Sequence, residues 1–87
     1  MSLRDHEELT VTVVAVAAVG ASVDAAGSPG FIDQVKHPSW WDAGVAPPRA
    51  GDLLHAVVLD AGREPPRLSA LQDDIEIARR LRPEGHS

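Results

Sequence analysis

The side chains best suited to chemistry stand in two short stretches. The first, VKHPSWWD, places Lys36 and His37 just ahead of the adjacent pair Trp40 and Trp41, with Arg49 a few residues beyond. An indole offers a π-face on which an unpaired base stacks, and a neighbouring cation suits the phosphate beside it. The second stretch, DAGREPPR, holds Arg63 and Arg67 next to Asp60 and Glu64. A guanidinium grips phosphate bidentately, though acidic neighbours weaken that grip. The plain structural reading of both stretches is an indole closing the end of a small core and solvated turn charges.

Catalysis finds no comparable support. No Gly-rich phosphate loop or nucleophile elbow occurs, and Asp73-Asp74 reads as helix N-terminal capping and not as a paired-carboxylate site, so no catalytic residue is assigned and no enzyme is expected. The four histidines, His6, His37, His55 and His86, lack any short ligand spacing, and without cysteine there is neither a thiolate metal site nor a disulfide. No metal or cofactor is expected.

Composition narrows the class. At 87 residues the chain is one small domain, and its net charge of −5 opposes avid, purely electrostatic binding to nucleic acid. The apolar run from Leu9 to Val23 has the length of a signal-peptide core, but Asp5, Glu7 and Glu8 make the region before it acidic. No stretch of roughly 20 apolar residues is present to span a membrane. A cytoplasmic protein is therefore expected.

The elements that must position these residues follow from periodicity. Leu9, Val11 and Val13 alternate with Thr10, Thr12 and Val14, which is the period of a half-buried strand. Gly20 breaks the run, Ala21 to Asp24 resume it, and Gly27-Ser28-Pro29-Gly30 turns the chain into a third run at Phe31-Ile32. After a connection rich in Pro, Gly and Ala, Leu53 to Leu59 reads as a fourth strand, and Arg67 to Leu71 as a fifth that begins after Pro66. The spacing predicts strands over 9–19, 20–25, 30–34, 52–60 and 66–71. It also predicts a helix over 73–82, capped by Asp73 with Glu76, carrying Ile75, Ala78 and Leu81 on one stripe, and stopped by Pro83 and Gly85. Arg79, Arg80 and Arg82 complement its C-terminal dipole.

Val11-x-Val13, Gly20-Ala21-x-Val23-Asp24, Gly30-Phe31-Ile32, Gly51-Asp52 before an apolar strand, and Arg67-Leu68-Ser69 follow one another in an order that resembles the ribosomal S-one domain family. The resemblance covers roughly residues 9–71. It implies an all-β fold, a five-stranded OB-fold barrel followed by the short C-terminal α-helix, and a module that binds RNA or single-stranded nucleic acid without catalysis. The organisation it implies is a loose arm over 1–8, the barrel over 9–71, the helix over 72–82 and a tail over 83–87.

This sequence departs from the family where the ligand would lie. The two positions flanking the first bend, commonly aromatic in that family, are Val19 and Ser22, and the polar position after the third strand is Asp33. Two missing stacking platforms forfeit about 2–6 kcal/mol, or roughly 30-fold to 10⁴-fold in affinity. The expected interface is therefore weak and salt-dependent, built from Lys36, His37, Trp40, Trp41, Arg63 and Arg67, with Phe31 in the core. The alternative is a protein-interaction domain that has lost the aromatic face.

Overall fold

A computed structural model describes residues 3–82. Five strands, β1 (Glu8–Ala17), β2 (Gly20–Ala25), β3 (Ser28–Asp33), β4 (Leu53–Asp60) and β5 (Arg67–Ser69), close a barrel in the order β1-β2-β3-β5-β4. All neighbours are antiparallel except β3 and β5, which run parallel. Helix α2 (Gln72–Leu81) follows β5. The fold is the OB-type barrel with a C-terminal helix that the sequence predicts. The expected tail over 83–87, including His86 and the stop at Pro83 and Gly85, lies outside the described residues, as do Met1 and Ser2.

Alternation sets the inside of the barrel. Val11 and Val13 of β1, Ala21, Val23 and Ala25 of β2, Ile32 of β3, Ala56 and Val58 of β4 and Leu68 of β5 form its buried core. Strand β1 serves two neighbours in turn: Glu8 to Thr12 pair with β4 and Thr12 to Ala17 with β2, and a bulge at Val14 shifts the register within the β1–β2 pairing. The extra residue bends the strand and lets a small barrel close. The strand stops at Ala17, so Ala18 and Val19 belong to the turn rather than to the strand predicted over 9–19.

Of the loose arm expected over 1–8, the described residues 3–8 are tied to the barrel. The His6 amide donates to the Val58 carbonyl and the Val58 amide to that of Glu7, both at 2.8 Å, and Leu3 packs on the core. This pairing extends the β1–β4 ladder.

Helix α2 begins at Gln72, and its N-cap is Leu71, which supplies no side-chain bond. Asp73 therefore lies inside the first turn rather than at the cap. Ser69, fully buried at the end of β5, is the cause: its Oγ accepts from the Leu71 amide at 3.0 Å and donates to Asp74 at 2.7 Å, starting the helix early. Ile75 and Ala78 bury against Val57 of β4, while Leu81, expected on the same stripe, is exposed. No described helix is long and apolar enough to cross a membrane.

The long connection after β3 is not wholly irregular. A single 3-10 turn (Gln34–Lys36), capped by the Asp33 side chain, leads into α1 (Pro38–Trp41), one helical turn with Pro at its start. Trp40 and Trp41 thus share a helical turn.

Candidate nucleic-acid interface

Strict alternation along β3 makes the outer face. Gly30 and Ile32 point inward, where a Cβ on Gly30 would stand 2.6 Å from Leu68 Cδ1, so Phe31 between them must point outward. Phe31 is half-buried on the exterior of the barrel, not in the core where the sequence reading puts it. Its ring lies across Gly20. A Cβ there would be 2.6 Å from the ring tip and 2.3 Å from the Ile32 carbonyl oxygen, and the Gly20 φ of +154° also disfavours a side chain. Glycine at the bend is what lets the aromatic settle on the sheet.

Register supplies the neighbours. Ser22 of β2 is directly opposite Phe31 on one side and Arg67 of β5 on the other. The Arg67 guanidinium carbon sits 4.7 Å from the Phe31 ring centroid, a cation–π stack. Its Nε is buried and has no hydrogen-bond partner among the described residues. Beside this pair opens a groove of about 290 Å³ lined by Asp33, Lys36, Asp60, Arg63 and Arg67, among others. Among the described residues neither Arg63 nor Arg67 forms an ion pair; the cations that do are Lys36, with Asp74, and Arg79 and Arg82, both with Glu8, which His55 also contacts. The groove thus carries two guanidinium groups free to meet an anion and one stacked surface.

The other residues singled out in the sequence divide. Lys36 lines the groove, but its Nζ donates to Asp74 at 3.0 Å, which ties the 3-10 turn to α2. His37 is buried at 6% exposure, and its Nδ1 accepts from the Ser39 amide at 3.1 Å as the N-cap of α1. Burial pushes its imidazole below the ordinary histidine range, against the pull of the Asp52 charge, so it stands neutral at pH 7. His37 positions the tryptophans and does not face the surface.

Trp40 and Trp41 are both exposed, so neither is the buried lid that plain packing predicts. Trp40 helps line an apolar cavity of about 200 Å³ at one end of the barrel, with Val16, Ile32, Asp33 and Leu54. Trp41 turns the other way: its Nε1–H donates to the Val35 carbonyl at 2.8 Å, and its ring lines a groove with Pro38, Leu71 and Ile77 between α1 and α2. Only Asp33 touches both the Trp40 cavity and the Arg63–Arg67 groove. The structure brings Lys36, Arg63 and Arg67 together, sets Trp40 in the adjoining cavity, and leaves Trp41 apart.

The residue missed in the sequence is Phe31. The signal was present: once Ile32 is assigned to the core, period two sends Phe31 outward.

Two solved structures share this fold. A multidomain protein with nucleic acid binding domains from Streptococcus pneumoniae TIGR4 superposes with a TM-score of 0.64 at 22% identity over 82% of this chain. GSP13 from Bacillus subtilis superposes with a TM-score of 0.56 at 19% identity, covering 100% of this chain and 67% of its own. At these identities the likeness is one of fold. The chain spans 25% of the length of the streptococcal protein. No family model and no curated protein matches the chain.

Proposed function

We propose that the protein is a cytoplasmic, non-enzymatic S-one-type module that binds RNA or single-stranded nucleic acid across the outer face of β2, β3 and β5. The observation that carries this reading is the Arg67–Phe31 stack at the mouth of a groove containing Arg63. Planar guanidinium and phenyl surfaces accept a base of any kind, while Arg63 and the remaining donors of Arg67 face its phosphates. The resemblance in sequence and the nucleic acid binding domains of the streptococcal neighbour support the same class of ligand. Ser22, where that family commonly carries an aromatic, is the cross-strand partner of Phe31. The stacking surface has moved by one strand. Trp40 extends the face into the cavity beyond Asp33, and Lys36 and His37 brace the frame.

With one stack and two guanidinium groups unpaired among the described residues, on a chain of net charge −5, binding is weak and depends on salt. Titration with mixed single-stranded RNA at low salt, followed by NMR, should shift the amides of Ser22, Phe31 and Arg67 and the indole of Trp40. Shifts confined to α2, or none, would refute the assignment. A protein-interaction domain is the second reading, favoured by the exposure of Trp41 and Ile77 beside their shared groove. Trp40→Ala and Trp41→Ala separate the two: loss of RNA binding with an unchanged melting temperature marks a nucleic-acid contact, and indifference of both to RNA favours the protein partner.

A further inference from the structure

A stacked surface holds any base; choice among bases has to come from groups that meet their edges. The group set to do so here is Asp33. It follows Phe31 by two residues on the same outer face of β3, it lines the groove that holds Arg63 and Arg67, and among the described residues no cation pairs with it. Its carboxylate is also held in place, because Oδ1 accepts from the Val35 amide at 3.4 Å while capping the 3-10 turn. We propose that Asp33 makes this face selective for guanine. The inference rests on the nucleic-acid reading above and specifies its ligand.

The chemistry is one of donors and acceptors. An ionised carboxylate only accepts hydrogen bonds, so it rewards a base edge that presents N–H groups. Guanine offers N1–H and the N2 amino group side by side, a match for two carboxylate oxygens. Adenine and cytosine each offer one amino group next to a ring-nitrogen lone pair, which repels the second oxygen. Uracil offers a single N–H between two carbonyls. Reach agrees with this: two residues along a strand span about 6.5–7 Å, close to half the width of a purine plus one hydrogen bond of about 2.9 Å. Each Asp33 oxygen keeps a lone pair for the base, since the Val35 amide uses one site on Oδ1. Asp24, also on the outer face and opposite Pro29, lines none of the grooves that hold Arg67 or Trp40.

The bland account of Asp33 is a surface carboxylate that repels phosphate. Asp33→Asn separates the two accounts, because asparagine caps a turn about as well as aspartate and the fold is retained. Short oligouridines carrying one central guanine, inosine, adenine, cytosine or uracil are titrated at low salt by fluorescence anisotropy. The guanine oligomer should bind roughly 5- to 150-fold tighter than the adenine, cytosine and uracil oligomers, the range of a bidentate base contact. Inosine, which lacks the N2 amino group, should lose a large part of that gain. Asp33→Asn should erase the preference, and Asp24→Asn should keep it. If all the oligomers bind alike while Phe31→Ala still abolishes binding, the selectivity of Asp33 is refuted and the stacking face stands. Equal strengthening of every oligomer by Asp33→Asn would mean that the carboxylate only repels, and would refute it too. If none binds and no shift occurs at Phe31 or Arg67, the nucleic-acid reading falls and takes this inference with it.

Discussion

Two sets of arginines on this barrel do different work. On the seam where α2 meets the sheet, Arg79 donates two bonds to Glu8, from Nε at 2.8 Å and from Nη2 at 2.9 Å, and Arg82 reaches the same carboxylate. His55 completes the cluster at 2.8 Å. Behind it Ile75 and Ala78 bury against Val57, so charge and packing together fasten the helix. On the face of β3 and β5, Arg67 lies on an aromatic ring and Arg63 lines a groove, and neither has a carboxylate partner among the described residues. The residue type is the same. What differs is whether a buried or half-buried acid lies within reach, and that decides whether a guanidinium is consumed by the fold or remains available to a ligand.

The sharpest way to break this contrast is to damage each side and read stability and binding separately. Ile75→Ala, on the seam, should cost about 2–5 kcal/mol of stability, as truncation of a buried aliphatic does, while RNA affinity per folded molecule stays the same. Chemical denaturation and an anisotropy titration below the transition check both halves. A matching loss of affinity would show that the seam and the face are coupled.

Phe31→Ala, on the face, should weaken binding by about 1–3 kcal/mol, the worth of one stacking platform. Arg67→Ala should reproduce most of that loss, since the two side chains form one stack. If Phe31→Ala lowers the melting temperature but leaves binding intact, the ring is only packing and the contrast fails.

A smaller effect separates the two sides by pH. Hydrogen bonds from Arg79 and then His55, with a further one from Arg82, outweigh the opposing effect of burial and hold the Glu8 carboxyl well below the usual carboxylate range. A group whose pKa is depressed on folding contributes stability above its unfolded value and loses it as pH falls toward the folded one. Wild type should therefore lose melting temperature below about pH 4.3, the ordinary glutamate value. The Glu8→Gln variant should start lower, and the gap between the two should narrow as the solution is acidified. A gap that stays constant to the lowest pH measured would mean that the ionic cluster contributes nothing to the seam.

The smallest expected effect refines the assignment of charges. Arg63→Ala should lower affinity and reduce the slope of log affinity against log salt by about 0.7, the value for one phosphate on a single strand. Arg80→Ala, on the helix, should leave both unchanged. Equal effects of the two would mean that the protein attracts RNA by general charge and has no dedicated groove.

Much of this architecture was legible in the residues. The alternation of Leu9 to Val14, the glycine at 20 and the apolar run at 53–59 announce strands because each is a local property of backbone and side chain, and every one of those strands forms; the turn expected over 27–30 is instead Ala26–Gly27, and Ser28, Pro29 and Gly30 already pair in β3. The errors fall where local signals compete. Asp73 has the chemistry of a cap, yet Ser69 takes the Leu71 amide first and Asp74 turns back to Ser69 and Lys36. Packing predicts a buried indole, yet His37 caps the turn that Pro38 opens, and that turn leaves both Trp40 and Trp41 exposed.

The sequence by itself determined the strand inventory and the presence of a terminal helix, because hydrophobic period and turn residues act over a few neighbours; the closed barrel was implied only by the family resemblance. The sequence also held the direction of Phe31, which period two dictates. Tertiary structure alone decided which charges are spent and which are free. Glu8 lies 71 residues from Arg79 and Asp74 lies 38 from Lys36, so no local pattern can reveal that these cations are occupied while Arg63 and Arg67 are not. The stack of Arg67 on Phe31 has the same origin: barrel closure sets β5 beside β3 in parallel, and only that register lays the guanidinium over the ring.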